Sequence, residues 1–304
     1  MDSLRSQSYN SIEIILVDDG STDGSAELCD TYAAADSRIM CLHQKNSGVS
    51  SARNMGLEHC TGDYIHFMDS DDYLELNAYE ELMRCIETEH CDVAVCEYFV
   101  DYPEKSIKHE LNSDLYRVCT GEEAAARLFS GFQFAWNKLF SKKLISGNGG
   151  SPGISFREDI YRGEDTLFAA EVFLRADSVC YTNLPLYHYV QSEESACRGR
   201  FRESQLSILK LYRAYKDLYN KVDMQIPTCF WVFMHDNLIS LYYDMWADPA
   251  SFQEGEKSLK LALKEYYSPA NSAANGDISK RLKFFIASFF PDLFCVIHKT
   301  IHHL

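Results

Sequence analysis

Residues 64–74 read YIHFMDSDDYL: an apolar, β-favouring run, Tyr64 to Met68, that ends in three carboxylates, Asp69, Asp71 and Asp72. Like charges this close repel, so each must stay hydrated or find a partner. Three chemistries fit the pattern. The acids can cap a solvated turn and the helix after it, since Asp favours such positions. They can open a calcium loop, with Asp69 and Asp71 at its first and third positions and Glu80 at its twelfth. Tyr73 and Leu74 then stand where a ligand and a glycine are needed. Or they can hold Mg2+ or Mn2+ against a diphosphate, because these ions take one or two carboxylates together with phosphate oxygens. In extended chain a D-x-D presents two carboxylates with the side chain between them pointing elsewhere.

Two further acid pairs stand at element ends. Asp18 and Asp19 follow the apolar run IEIILV (12–17), and Glu164 and Asp165 precede TLFAAEVFL. Taken locally, the second pair reads as ordinary helix N-terminal capping. The elements that must position these groups alternate. Strands are expected at 12–17, 38–44, 63–69 and 92–100, with helices at 26–36, 46–62 and 77–88 between them. Strand and helix in turn imply an α/β layer fold with a mostly parallel sheet. Ligands then sit beyond the carboxyl ends of the strands, so the clusters at Asp18 and Asp69 converge on one rim.

Composition narrows the function classes. The 304 residues suffice for one large or two modest domains, and 46% are apolar and 24% charged, as in ordinary globular chains. A net charge of -16 argues against nucleic acid as a partner. The 11 cysteines include no C-x-x-C pair, which suits reduced thiols in a cytoplasmic protein better than a disulfide framework or a zinc site. There is no signal-peptide pattern, and no uncharged apolar run long enough to span a bilayer.

IILVDDGSTDGS, HQKNSGVSSARNMGL and GDYIHFMDSDDYL, in that order and spacing, resemble glycosyltransferase family 2. FAWNKLFSKKLI (134–145), RGEDTLFAAEVFL (162–174) and LPLYHYVQSEESA (184–196) continue the likeness more loosely. The resemblance implies a GT-A fold and an inverting, metal-dependent transferase. Such an enzyme moves a sugar from a nucleotide-diphosphate donor, most simply a UDP-sugar, to a saccharide or lipid-linked acceptor, as in bacterial surface polysaccharide synthesis. It puts Asp18, Asp19, Arg53, Asn54 and Asp69 at the nucleotide. It puts Mn2+ or Mg2+ on Asp71 and Asp69, with Asp71 the direct ligand and Asp69 also on the ribose. Asp165 becomes the catalytic base, Glu164 positions the acceptor, and Asp159 is the reserve candidate for the base. Trp136 and Asn137 fall on the acceptor side, where Trp136 stacks on a sugar or fills the core. His188 approaches the metal or is structural.

The resemblance also implies an additional strand and P-x-Y-N loop before MDSLRSQSYN (1–10), in the middle of the sheet. Without that strand, a catalytically impaired nucleotide-sugar-binding or scaffold protein is the alternative. A nucleotidyltransferase is a more remote one. The catalytic domain is expected over 1–199 and a helical region over 200–304, with helices at 206–219 and 229–246. SGNGGSPG (146–153) is expected as a loop and SPANSAANGD (268–277) as a linker. The apolar, locally basic segment 281–304 suits either a terminal helix docked on the helical region or a bilayer interface. In the second case the protein sits peripherally at the inner face of the membrane.

Overall fold

The computed structural model describes residues 1–109, 118–129, 132–147, 153–191, 203–247, 252–274 and 276–302. The chain forms two units, Met1–Glu158 with Glu164–Ser195, and Asp159–Gly163 with Ala196–Leu304. The boundary expected at 199/200 lies outside the described residues.

The first unit runs α1 (Asp2–Arg5), β1 (Ile14–Asp18), α2 (Ser25–Ala35), β2 (Ile39–His43), α3 (Val49–His59), β3 (Tyr64–His66), β4 (Tyr73–Leu74), α4 (Ala78–Glu89) and β5 (Val93–Tyr102). It continues with β6 (Lys105–Lys108), β7 (Val118–Cys119), α5 (Gly121–Arg127), β8 (Lys138–Ser141), α6 (Lys142–Ile145), α7 (Glu164–Phe173) and β9 (Val179–Val190). The α/β alternation is as expected through β5, except that the strand expected at 63–69 spans only Tyr64–His66 and a two-residue β4 is added before α4. Parallel pairing, expected for most of the sheet, is found between β1 and β2 and along β5 and β9. The other pairings are antiparallel. Connection length decides the β5–β6 case: only Pro103 and Glu104 separate the strands, and a turn that short joins antiparallel neighbours alone.

The larger sheet has the order β3-β8-β5-β9-β4, with β6 on β5 and β7 on β9, while β1 and β2 stand apart as a pair. Among the described residues β1 and β3 are each hydrogen-bonded on one side only. Ile15, Leu16 and Val17, apolar enough for a strand covered on both faces, are accordingly only half-buried. Glu13 links the start of β1 to the turn before β3, its Oε1 accepting from the Thr61 and Gly62 amides, both at 2.6 Å.

The core lies on the larger sheet. Val93, Ala94, Val95 and Cys96 of β5 are buried, and α4 packs Ala78, Leu82, Cys85 and Ile86 into one cluster with Ala94 and Cys96. Two aromatic groups complete it. Phe67, Phe140, Phe156 and Phe168 form one, with Phe156 and Phe168 stacked at 4.1 Å. Phe134, Trp136, Tyr187 and Tyr189 form the other. Among them sits a buried cation that the sequence did not flag. Lys138 Nζ donates to the carbonyls of Phe132 (2.7 Å) and Phe134 (2.5 Å) and to Asn137 Oδ1 (2.7 Å), which ties the 132–137 loop to β8. Burial pulls its ammonium down to about 7.

The second unit contains α8 (Ile208–Lys221), α9 (Thr228–Ala247), α10 (Phe252–Ala273), α11 (Ile278–Phe289) and α12 (Pro291–His302). The linker expected at 268–277 is corrected. α10 continues to Ala273 with Pro269 inside it, and Ala270 and Ala274 are buried. Packing of that face outweighs the hydrogen bond that Pro269 cannot make. Pro291 opens α12 at its first position, where a missing N–H costs nothing. Both end helices dock on α9: His235 Nε2 lies 2.8 Å from Ser288 Oγ, and Tyr242 donates to Asp292 at 2.7 Å. Among the described residues no helix is long and apolar enough to cross a membrane.

Lys138→Met keeps the aliphatic stem and removes the donor. Three acceptors then lose their partner inside the protein, at about 1–3 kcal/mol for each one left unsatisfied. We expect a loss of stability on the order of 2–4 kcal/mol, read as a lower urea midpoint at unchanged slope. A midpoint equal to the parent's would mean that the loop does not depend on Lys138.

Candidate active site

The residue that organises the site is Arg53. It lies on α3, whose other face packs against β1, with Gly56 beside the Val17 side chain. One nitrogen donates to Asp69 Oδ1 at 2.9 Å, and another to Glu164 Oε1 at 3.2 Å. The guanidinium lies over the Phe156 ring, 5.2 Å from its centre. Burial alone would favour losing the charge, but Asp69, Asp165 and Glu164 outweigh it and hold Arg53 charged. Acids more than ninety positions apart in sequence thus share one cation.

The two acids of α7 differ in setting. Glu164 is 9% exposed and held on Arg53; burial and then the Asp165 charge push it up to about 7, against the pull of Arg53. Asp165 is only half-buried. Its Oδ1 accepts the Thr166 amide at 2.7 Å, and burial again raises its carboxyl above the usual range. An upward shift is the direction that suits a group accepting a proton.

The acids after β3 divide as well. Asp69 shares Oδ1 with Arg53. Asp71 is exposed and has no hydrogen-bond or ion-pair partner among the described residues. Asp72 is buried: it accepts from Tyr187 Oη at 2.5 Å and from the Val190 amide at 2.8 Å, and burial pushes it up to about 7. Tyr187 Oη in turn accepts the Asp69 amide at 3.3 Å. Asp72 therefore clamps the loop to β9 and leaves Asp69 and Asp71 facing out. This geometry does not favour the calcium loop, since Tyr73 and Leu74 are a strand paired with β9 and not ligand positions.

Asp18 and Asp19, at the end of β1, make a separate set of contacts with the 21–48 segment. Asp18 Oδ1 accepts the Ser21 amide at 3.1 Å, and Oδ2 lies 3.2 Å from His43 Nδ1; the Ser21 and His43 side chains hold the carboxyl below its usual value. Asp19 accepts from Gln44 Nε2 (2.7 Å) and from the Ser47 (2.7 Å) and Gly48 (2.8 Å) amides. Burial pushes Asp19 up, and these three bonds more than reverse it. Gly20 is required between the two loops: its φ is +73, and a Cβ would stand 2.8 Å from the Asn46 nitrogen.

Asn54 is occupied. Its Nδ2 donates to the Phe156 carbonyl at 2.9 Å and its Oδ1 accepts the Phe156 amide at 2.8 Å, which fixes the ring beneath Arg53. Of the two readings at Trp136 and at His188, the packing one fits the geometry, and Asn137 departs from an open acceptor-side place. The Trp136 ring does not stack on a sugar in this geometry: it is 4% exposed and packed among Phe134, Tyr187 and Tyr189. Asn137 is fully buried and bonds Cys96 and Lys138. His188 is not placed for a metal. Its nitrogens face Asp101 (2.9 Å) and Glu75 (3.0 Å), between the Tyr73 and Phe99 rings. Asp159 lies in the other unit, paired with Lys210. Sequence reasoning missed Phe156, whose segment carries no motif, and the clamping role of Asp72.

The profile described as Glycosyl transferase family 2 matches residues 1–145. EpsH of Bacillus subtilis (strain 168) is 32% identical over 233 residues, 73% of this chain and 66% of EpsH. The chain belongs to glycosyltransferase family 2. EpsJ of the same organism is 29% identical over 277 residues, covering 86% of this chain and 78% of its own length. The chain thus spans about two thirds of EpsH and more of EpsJ. Among solved structures, S. aureus TarS in complex with UDP-GlcNAc superposes with a TM-score of 0.65 at 16% identity. The likeness covers 94% of this chain and 85% of that one, and it shows the shared GT-A-like fold, helical region included.

Arg53→Met tests the charge balance. Arg53 lowers the carboxyls of Glu164 and Asp165, so its removal penalises their ionised forms. The lost stability should be small at about pH 5, where Glu164 is protonated, and larger at about pH 8. Equal losses of melting temperature at both pH values would contradict this account.

Proposed function

We propose that the chain transfers a sugar from a nucleotide-diphosphate sugar, most simply a UDP-sugar, to a hydroxyl of a saccharide or lipid-linked acceptor with inversion. The setting would be surface polysaccharide or glycoconjugate synthesis. The observation that carries the reading is the Arg53 bridge, which joins the acid after β3 to the pair that opens α7. Donor-side and acceptor-side carboxylates are thereby held in one cluster. TarS, of the same fold, has been solved with UDP and with UDP-GlcNAc, which supports the donor class. The cluster favours an enzyme over a binding-only scaffold, since recognition alone does not call for a half-buried acid with a raised carboxyl beside the donor contacts.

In this reading Asp18 and Asp19 border the base and Asp69 the ribose. Arg53 faces the diphosphate side and Asn54 steadies it through Phe156. Asp71 and the Asp69 oxygen away from Arg53 are hard donors of the kind Mg2+ or Mn2+ takes. When bound, such an ion supplies positive charge to the departing diphosphate. Asp165 takes the acceptor hydroxyl proton as that oxygen bonds to the anomeric carbon. The carbon's bond to the diphosphate breaks, and the nucleoside diphosphate leaves with the electron pair. Attack from the opposite face inverts the carbon. Glu164, fixed on Arg53, orients the acceptor.

Asp165→Asn should retain donor affinity within a fewfold while transfer falls by about 10²–10⁴. Asp71→Ala should instead abolish Mn2+-dependent stabilisation by nucleoside diphosphate. Binding is followed by thermal shift over UDP-, GDP- and dTDP-sugars, and turnover by nucleoside diphosphate release with saccharide acceptors. Parental transfer by Asp165→Asn would remove the base assignment. Pyrophosphate release from a triphosphate would point to nucleotidyl transfer.

A peripheral membrane position is part of the proposal. On α11 the apolar residues Ile278, Leu282, Phe285 and Phe289 recur at helical spacing and are exposed, and on α12 so are Leu293, Val296 and Ile297. Lys280, Arg281, Lys283 and Lys299 make these helices basic in an acidic chain. That combination suits an anionic lipid surface. Leu282→Glu with Phe285→Glu should abolish co-sedimentation with vesicles containing anionic lipid and leave the helical circular dichroism unchanged. A parent chain that never co-sediments would refute the membrane position.

A further inference from the structure

The α2–β2 layer carries a group of ligating side chains that the proposed transfer does not use. Strand periodicity puts Cys41 and His43 on one face of β2, two residues apart. That face meets α2, where Cys29 and Asp30 are neighbours in sequence. His43 Nε2 lies 3.0 Å from Asp30 Oδ1 and 3.4 Å from Cys41 Sγ, and the ligand atoms of the three residues lie within 4.8 Å of one another. The Cys29 and Cys41 thiols lie close enough to raise or lower each other's ionisation.

From this geometry we infer a zinc site formed by Asp30, Cys41 and His43, its fourth position completed by water or by a shift of the neighbouring Cys29. Zn–N, Zn–O and Zn–S bonds of roughly 2.0, 2.1 and 2.3 Å at tetrahedral angles give N···O and N···S edges of about 3.3 and 3.5 Å. The observed separations already lie close to those edges, so an ion enters with small side-chain shifts. A nitrogen, a carboxylate oxygen and one or two thiolates make a donor set for Zn2+ and not for Mg2+ or Mn2+. The second shell is in place too. Asp18 is the register partner of His43 in the parallel pair, and its Oδ2 faces His43 Nδ1. A proton on Nδ1 donated to Asp18 leaves Nε2 as the free lone pair, the arrangement that orients metal-bound histidines. Asp30 and His43 are exposed, which leaves a path for entry. Binding releases the Cys41 thiol proton to solvent, and the Nε2 proton where the ring is charged, so affinity rises with pH. The ion would pin α2 to β2 and hold His43 against Asp18.

This site does not depend on the proposed transfer. The test uses the metal-stripped chain with Zn2+ alone, titrated against a chromophoric chelator, and Co2+ as a spectroscopic substitute. We expect one equivalent of Zn2+ and a Co2+ spectrum with tetrahedral d–d bands and a thiolate charge-transfer band. Cys41→Ser should abolish the charge-transfer band and weaken Zn2+ binding by about tenfold or more, and His43→Ala should weaken it comparably. Asp71→Ala should leave Zn2+ affinity unchanged, which separates this site from the hard-metal position. Circular dichroism checks that each variant is folded. Absence of Zn2+ binding by the parent, or parental affinity in both Cys41→Ser and His43→Ala, overturns the inference.

Discussion

One guanidinium holds the candidate site together. Without Arg53, Asp69, Glu164 and Asp165 would place like charges in a partly desolvated space, and that space would not keep its shape. With it, charge-assisted bonds of 2.9 and 3.2 Å join the end of β3 to the start of α7. The remaining features keep Arg53 where it is. Phe156 lies under the guanidinium, Asn54 holds Phe156 by its backbone, and Phe168 stacks on the Phe156 ring from within α7. Shared support of this kind makes the site a property of α3, β3 and α7 together.

Around this centre, acids of one type serve different ends because their surroundings differ. Asp72 is buried and clamps a loop to β9, whereas Asp71, one position earlier, is exposed. Asp19 is saturated by donors from its own chain and shapes the 44–48 turn. Glu164 is locked on Arg53, while Asp165 keeps part of its surface open. The proposed division of labour between base and positioning acid follows from that contrast and from the common rise of both carboxyls.

The paired aromatic clusters under the sheet take residues that looked functional and use them for packing. Trp136 and His188 belong to motif-bearing segments, yet both are enclosed, one by rings and one by two carboxylates. A buried Lys138 closes the adjoining loop by bonding carbonyls that would otherwise lack donors.

By itself the sequence determined the order of strands and helices through β5, the acids at their ends and the family, because these rest on local periodicity and on spacing along the chain. IEIILV, RIMCLHQ and DVAVCEYFV are strands with ends shifted by a residue or two, Asp18 and Asp19 stand at the end of the first, and Glu164 and Asp165 open α7. Other features were decided only in three dimensions. The antiparallel pairings of β8 and β4 depend on how the chain returns to the sheet, and α10 runs through Pro269 because its buried face outweighs a local breaker. The meeting of Arg53 with Glu164 joins residues 111 positions apart, and that of His43 with Asp30 joins a strand to the helix before it. Local propensity contains no term for such pairs; they form because the tertiary fold brings complementary groups from distant segments within bonding distance.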